Sequence, residues 1–169
     1  MKMLKCFSIA LSTFLLISCG SGNVKQTPKI SHSKPYYVEN SHVVLTVANK
    51  RLLFKKEHAI EKKFTEFFRN SLASKLRQKK LIVGQASQSP VRLRVKVHYS
   101  MVYFALTNRK ANPVVGYSIY VKKDGRVIDQ HHSGEFTVTR GIFRKKSQAY
   151  EFGILNQLAD KIVNRVESL

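Results

Sequence analysis

The chain has 169 residues, with 30 Lys and Arg against 10 Asp and Glu, a net charge of +20 at pH 7. That length suits one domain with a core large enough to stand without staples, and the charge draws it toward polyanions. Cys6 and Cys19 are the 2 cysteines of the chain, so thiol catalysis and cysteine-ligated zinc are excluded from everything after them.

The first segment reads as a targeting signal. Lys2 and Lys5 precede an almost unbroken apolar run from Phe7 to Ile17, the layout of a secretory signal peptide. The run is too short to cross a bilayer about 30 Å thick, which needs about 20 apolar residues. Leu16-Ile17-Ser18-Cys19 resembles the lipobox of bacterial lipoproteins. The resemblance implies diacylglyceryl transfer to the Cys19 thiol, cleavage before Cys19 and acylation of the new α-amine, hence a stable membrane anchor. The plainer alternative is an ordinary signal peptide that ends near a cysteine. Removing the first 18 of the 169 residues would leave 151, with 28 Lys and Arg against 10 acids and a charge of +18. Lipoproteins of this kind are sorted by the residue after the cysteine. Gly20 is not the aspartate associated with inner-membrane retention, so the periplasmic side of the outer membrane is the expected destination. Export also moves nucleic acid out of first place as a partner. The anions at hand are lipid and lipopolysaccharide phosphates, acidic polymers or an acidic protein.

Residues 19–37 are expected to form a lipidated tether, because Gly20, Ser21, Gly22, Pro28, Ser31, Ser33 and Pro35 break any apolar period. Residues 38–169 are expected to form one domain. Val43-Val44-Leu45-Thr46-Val47 reads as a strand ending near Leu53. Ile60, Phe64, Phe67, Phe68, Leu72 and Leu76 recur at three- and four-residue steps and predict a helix from Glu57 to Lys80. Lys75, Arg77, Lys79 and Lys80 crowd its last turn, where cations suit the dipole, and Gly84 closes the segment. Val91 to about Leu106 is the clearest strand: Val91, Leu93, Val95, Val97 and Tyr99 alternate with Arg92, Arg94, Lys96 and His98. Asn108 to Asn112 is a loop, and Val115, Tyr117, Ile119 and Val121 alternate again. Asp124-Gly125 is a hairpin turn signal. The strand from Val127 to about Val138 has an open register, since either pairing turns some of Asp129, Gln130, His131 and His132 inward. After the basic loop Arg140 to Lys146, Ser147 can cap a final helix with Tyr150, Ile154, Leu158, Ile162 and Val166 on one face. Gly153 inside that helix suggests close helix–sheet contact.

The expected order is β-α-β-β-β-α: a two-layer α+β domain, a mostly antiparallel sheet with two helices on one face and the other face wet. No catalytic residues, metal ligands or cofactor are assigned. There is no G-x-S-x-G elbow, Gly-rich phosphate loop or H-E-x-x-H helix. His131 and His132 are adjacent on a strand and point to opposite faces, a poor grip for one metal. Arg92, Arg94 and Lys96 lie about 7 Å apart along one strand face, a spacing that suits successive phosphates or carboxylates, with His98 adding charge at acidic pH. Solvation of an exposed sheet explains the same series without a ligand. Tyr99, Tyr103 and Phe104 are expected in the core, with an apolar groove beside the basic face as the alternative.

The chain resembles YajG-type lipoproteins in its lipobox, in Phe67-Phe68 through Leu72, in Leu81-Ile82-Val83-Gly84 and Val91-Arg92-Leu93, in Ser133-Gly134-Glu135-Phe136, and in a last helix holding Ala149, Asn156, Leu158 and Ile162. That family has no established enzymatic role, and the resemblance implies none here. The element order is also similar to that of LptE, the lipopolysaccharide-assembly lipoprotein that plugs an outer-membrane barrel, but Gly-Ser-Gly-Asn follows Cys19 in place of the aromatic and basic motif expected there. The expected function is a non-enzymatic, membrane-anchored binding or assembly module of the bacterial envelope. It meets the membrane through lipid at Cys19 and takes an envelope protein or lipopolysaccharide as partner. A transport accessory that binds anionic polymers is the alternative, and an envelope hydrolase with an unrecognised site a third.

Overall fold

The computed structural model describes residues 34–48, 54–102, 111–138 and 148–169. The lipobox with Cys19, nearly all of the expected tether, Tyr103, Phe104, the loop 140–146 and Ser147 lie outside the described residues. The elements run β1 (Tyr36–Ala48), α1 (Phe54–Gln78), β2 (Ile82–Val83), β3 (Val91–Val102), β4 (Val114–Lys123), β5 (Arg126–Thr137) and α2 (Gln148–Ser168). The order is the one the periodicity predicts, with the two-residue β2 added.

Among the described residues the sheet has 5 strands in the order β2-β1-β3-β4-β5. β3, β4 and β5 form an antiparallel meander that holds most of the paired residues. β1 joins it parallel to β3, and β2 lies parallel to β1 on the other side. Parallel neighbours need a crossover, and α1 supplies it by carrying the chain back to the starting end of the sheet. β1 begins at Tyr36, earlier than the apolar run at Val43 suggests, and Tyr36 is fully buried.

β2 pairs only with Tyr36 and Tyr37, so the rest of β1 would be a bare edge with unpaired amides, a template for unwanted pairing. Side chains of α1 cover it. Thr65 Oγ1 accepts from the Val43 N–H at 3.1 Å, and Glu61 Oε2 accepts from the Leu45 N–H at 2.9 Å.

The core lies between the sheet and the helix layer. Phe64, Phe68, Leu72 and Leu76 of α1 meet Leu93, Val95, Val97 and Tyr99 of β3, all at most 1% exposed. α2 buries a wider face than a four-residue step predicts: Leu155, Ala159 and Val163 join Ile154, Leu158, Ile162 and Val166. The extra residues follow from packing on two neighbours, since α2 lies against α1 as well as the sheet. The helices run side by side in one direction. Phe67 stacks on Phe152 with centroids 4.3 Å apart, Ser71 donates to Asn156 Oδ1 at 2.7 Å, and Lys75 meets Asp160 at 2.5 Å. Lys75 and Lys79 therefore serve cross-helix pairs as well as the dipole. Gly153 is exposed, and a Cβ there would meet nothing within 4 Å, so the close helix–sheet contact expected of it is absent.

α1 closes where the sequence expects it, within two residues of Lys80. Lys80, at φ 55°, takes the left-handed position, with Lys80 N–H bonded to Arg77 O and Leu81 N–H to Leu76 O, both at 2.9 Å. This double closure satisfies the last carbonyls several residues before Gly84. The β4–β5 hairpin matches its sequence signal. Asp124 at φ 51° and Gly125 at φ 77° are both left-handed, as a two-residue turn matched to strand twist requires.

Two bulges resolve the register of β5, one between Gly116 and Ser118 and one between Val121 and Lys122. Asp129 and His131 then oppose Val121 and Ile119 on the helix side, while Gln130 and His132 oppose Tyr120 and Ser118 on the other. β5 is the edge strand, so its inward polar residues stay half-exposed. Ser133 stitches the first bulge: its Oγ accepts from the Tyr117 N–H at 2.9 Å and donates to Gly134 O at 2.7 Å. Gly116 is required there, because a Cβ would stand 2.8 Å from the Gly134 carbonyl oxygen.

Candidate anion-binding face

Alternation along β3 turns Arg92, Arg94, Lys96 and His98 away from the helices. The antiparallel register sets Lys122 opposite Arg92, Tyr120 opposite Arg94, and Ser118 opposite Lys96. From the parallel side β1 brings His42 beside Lys96. The three expected residues thus share one face, and the fold adds Lys122 as a fourth cation.

It also adds a carboxylate. The register of β1 shifts between Val38 and Asn40, and the residue at that bulge, Glu39, reaches across β3. Its Oε2 lies 3.2 Å from Arg94 and 3.3 Å from Lys122, and its Oε1 lies 3.8 Å from Arg92. A bulge is a common device for re-aiming a side chain. Burial alone pushes the Glu39 pKa up. The Lys122 hydrogen bond and the charges of Lys122 and Arg94 outweigh it, and the carboxyl titrates below the ordinary range. One carboxylate thus answers three cations. The guanidinium groups remain accessible, with side-chain exposures of 48% at Arg92 and 42% at Arg94.

Two polar atoms on this face are buried without a hydrogen-bond partner among the described residues: Arg94 Nε and His42 Nδ1. Buried polar atoms are normally satisfied, so these two are exceptions on this face. Burial holds the His42 pKa below its ordinary value, Lys96 and Arg94 push the same way, Glu61 opposes them, and His98 adds a little. His42 therefore adds little positive charge near neutral pH.

Two cavities flank Glu39. One, of about 430 Å³, is lined by Glu39, Ser89, Arg92, Lys122 and Asp124, among others. The other, of about 390 Å³, opens between β1, β2 and α1, with Arg69 and Arg77 in its wall.

The two histidines of β5 part as their spacing predicts. His131 packs near the Tyr117 ring, with centroids 5.8 Å apart, and His132 Nδ1 lies 2.8 Å from Ser118 Oγ on the open face. Among the described residues no group of three or more His, Cys, Asp or Glu could hold a metal ion. Tyr99 lies in the core as expected, and its hydroxyl donates to Glu151, a carboxylate only 2% exposed. Its acidic type gave no sign of burial, although its position on α2, three residues before Ile154, puts it at the edge of the apolar face. Glu39 and Lys122 also escaped the sequence reading. The Asp-Gly turn, counted back along β4, could have found Lys122; no local signal marks Glu39.

No protein-family model and no curated protein matches the chain. Among solved structures, rare lipoprotein B from Shewanella oneidensis overlaps 76% of this chain and 95% of its own, at 16% identity and a TM-score of 0.39. A PelC dodecamer from Paraburkholderia phytofirmans overlaps 80% and 94%, at 16% identity and a TM-score of 0.37. A putative neuraminyllactose-binding hemagglutinin homolog from Helicobacter pylori overlaps 82% and 90%, at 15% identity and a TM-score of 0.30. Overlaps this loose fix neither a family nor a ligand.

Proposed function

We propose that this chain is a lipid-anchored, non-enzymatic binding module of a bacterial envelope, facing the periplasm from the outer membrane, and that its open sheet face takes anionic envelope polymers such as lipopolysaccharide. The observation that carries the reading is the face itself: Arg92, Arg94 and Lys122 gathered around a single carboxylate, with Lys96 alongside. Arginine presents a planar fork that suits phosphate, and a face outside the helix layer leaves room for a large ligand.

The anchor rests on the resemblance of Leu16–Cys19 to a lipobox, and the YajG-type likeness points to the same setting. Among the described residues no helix is long and apolar enough to cross a membrane; in this reading attachment runs through Cys19. Replacing Cys19 with Ser tests it: the variant should lose lipid processing and leave the membrane fraction. Normal processing and retention of Cys19→Ser in the membrane would overturn the anchor. For the face, charge reversal at Arg92, Arg94 and Lys96 should weaken binding to immobilised lipopolysaccharide and flatten its salt dependence. Unchanged binding would overturn the ligand class.

A further inference from the structure

Glu39 lines two cationic cavities, the one residue they share. The first cavity exists because β2 is short. Among the described residues β1 has no strand neighbour on that side beyond Tyr37, and α1 side chains take over only at Val43. The gap is walled by one ridge of α1, Arg69-Ala73-Arg77, whose members step by four residues and all line the cavity. Ala73 leaves space between two guanidinium groups whose backbones are about 12 Å apart along the axis. The second cavity carries Arg92 and Lys122.

Resting on the anion-binding reading above, we infer that these cavities are two subsites of one site, and that the ligand is a polyanionic chain with repeating phosphate groups that passes over Glu39. A single phosphate could engage only one of the two cation groups. A chain bearing several could meet Arg69 and Arg77 with one group and Arg92, Arg94 and Lys122 with another. Together these five cations face two carboxylates, Glu39 and Asp124. Glu39 holds the place of one ligand anion, bound to the cations that a phosphate would take.

The test uses the full-length lipidated chain in non-ionic detergent, with calorimetric titration by short linear polyphosphate and by orthophosphate. Two linked subsites should favour polyphosphate by about 100-fold or more over orthophosphate. The Arg69→Ala/Arg77→Ala and Arg92→Ala/Lys122→Ala variants should each weaken polyphosphate binding by about tenfold or more. Glu39→Gln should tighten it several-fold, because the competing charge is gone. Thermal unfolding of each variant checks that these substitutions leave the fold intact. Unchanged polyphosphate binding by Arg69→Ala/Arg77→Ala, beside a loss in Arg92→Ala/Lys122→Ala, would overturn the two-subsite site and leave the open-face reading standing. Unchanged binding in both pairs would overturn both readings.

Discussion

On one side of β3, Leu93, Val95, Val97 and Tyr99 are fully buried beneath α1 and α2; on the other, Arg92 and Arg94 keep nearly half of their side chains in solvent. The strand is the same, and a shift of one residue exchanges the faces. Stability and the charge of the open face can therefore be changed separately. Burial of apolar area is worth about 25 cal/mol per Å², so the inner face dominates stability. Exposed ion pairs are worth about 0–1 kcal/mol each, so the outer face is free to change without unfolding the domain.

The largest expected effects lie on the inner face. Leu93→Ala or Phe68→Ala should cost about 3–5 kcal/mol, because each empties a volume that rigid neighbours cannot refill; urea unfolding reads this directly. A loss below about 1 kcal/mol at either site would contradict the packing described. Next come the polar and backbone devices that hold the two layers in register. Tyr99→Phe removes a donor to the buried Glu151 carboxylate and should cost about 1–3 kcal/mol. Gly116→Ala drives a Cβ against the Gly134 carbonyl and should cost about as much by overpacking. Both are read from the same unfolding curves.

The pH response should be smaller and come from the margins of the sheet. Burial, with Lys96, Arg94 and His98 against the opposing Glu61, depresses the His42 pKa from its ordinary 6.5. The unfolded chain then binds the proton more readily, so the contribution of His42 to stability is present above about pH 6.5 and is lost as pH falls through the folded value. Burial lowers His131 as well, helped by Arg165 and His132 and opposed by Asp129, and its contribution has the same sign. Stability should therefore fall as pH drops through and below about 6.5, and His42→Gln should flatten part of that slope. Glu39 adds a further loss in more acidic solution, as pH falls through its depressed value. The smallest effect on stability belongs to Arg92→Ala, within about 0.5 kcal/mol.

The two faces were unequally legible from sequence. Period-two alternation placed Arg92, Arg94 and Lys96 on one face of β3, and the step of three and four found the buried stripe of α1. Both patterns are local consequences of strand and helix geometry. The Asp124-Gly125 turn was legible for the same reason, since its backbone needs two left-handed residues. The parts that stayed hidden depend on distant neighbours. Leu155, Ala159 and Val163 are buried because α2 has two partners. The register of β5 waited on two bulges, one of them held by Ser133. Glu39 meets Lys122 across 83 positions of chain, and no short-range pattern could pair a residue beside the expected tether with one at a hairpin.

The claim that the open face binds anions while the buried face only holds the fold is tested most directly by one comparison. The full-length chain and its Arg92→Glu/Arg94→Glu/Lys96→Glu variant are titrated against immobilised lipopolysaccharide over a range of salt, with unfolding midpoints measured alongside. The predicted result is a variant that unfolds within about 1 kcal/mol of the parent yet binds far more weakly, with its salt dependence largely gone. Equal binding by the two proteins, with equal salt dependence, would contradict it.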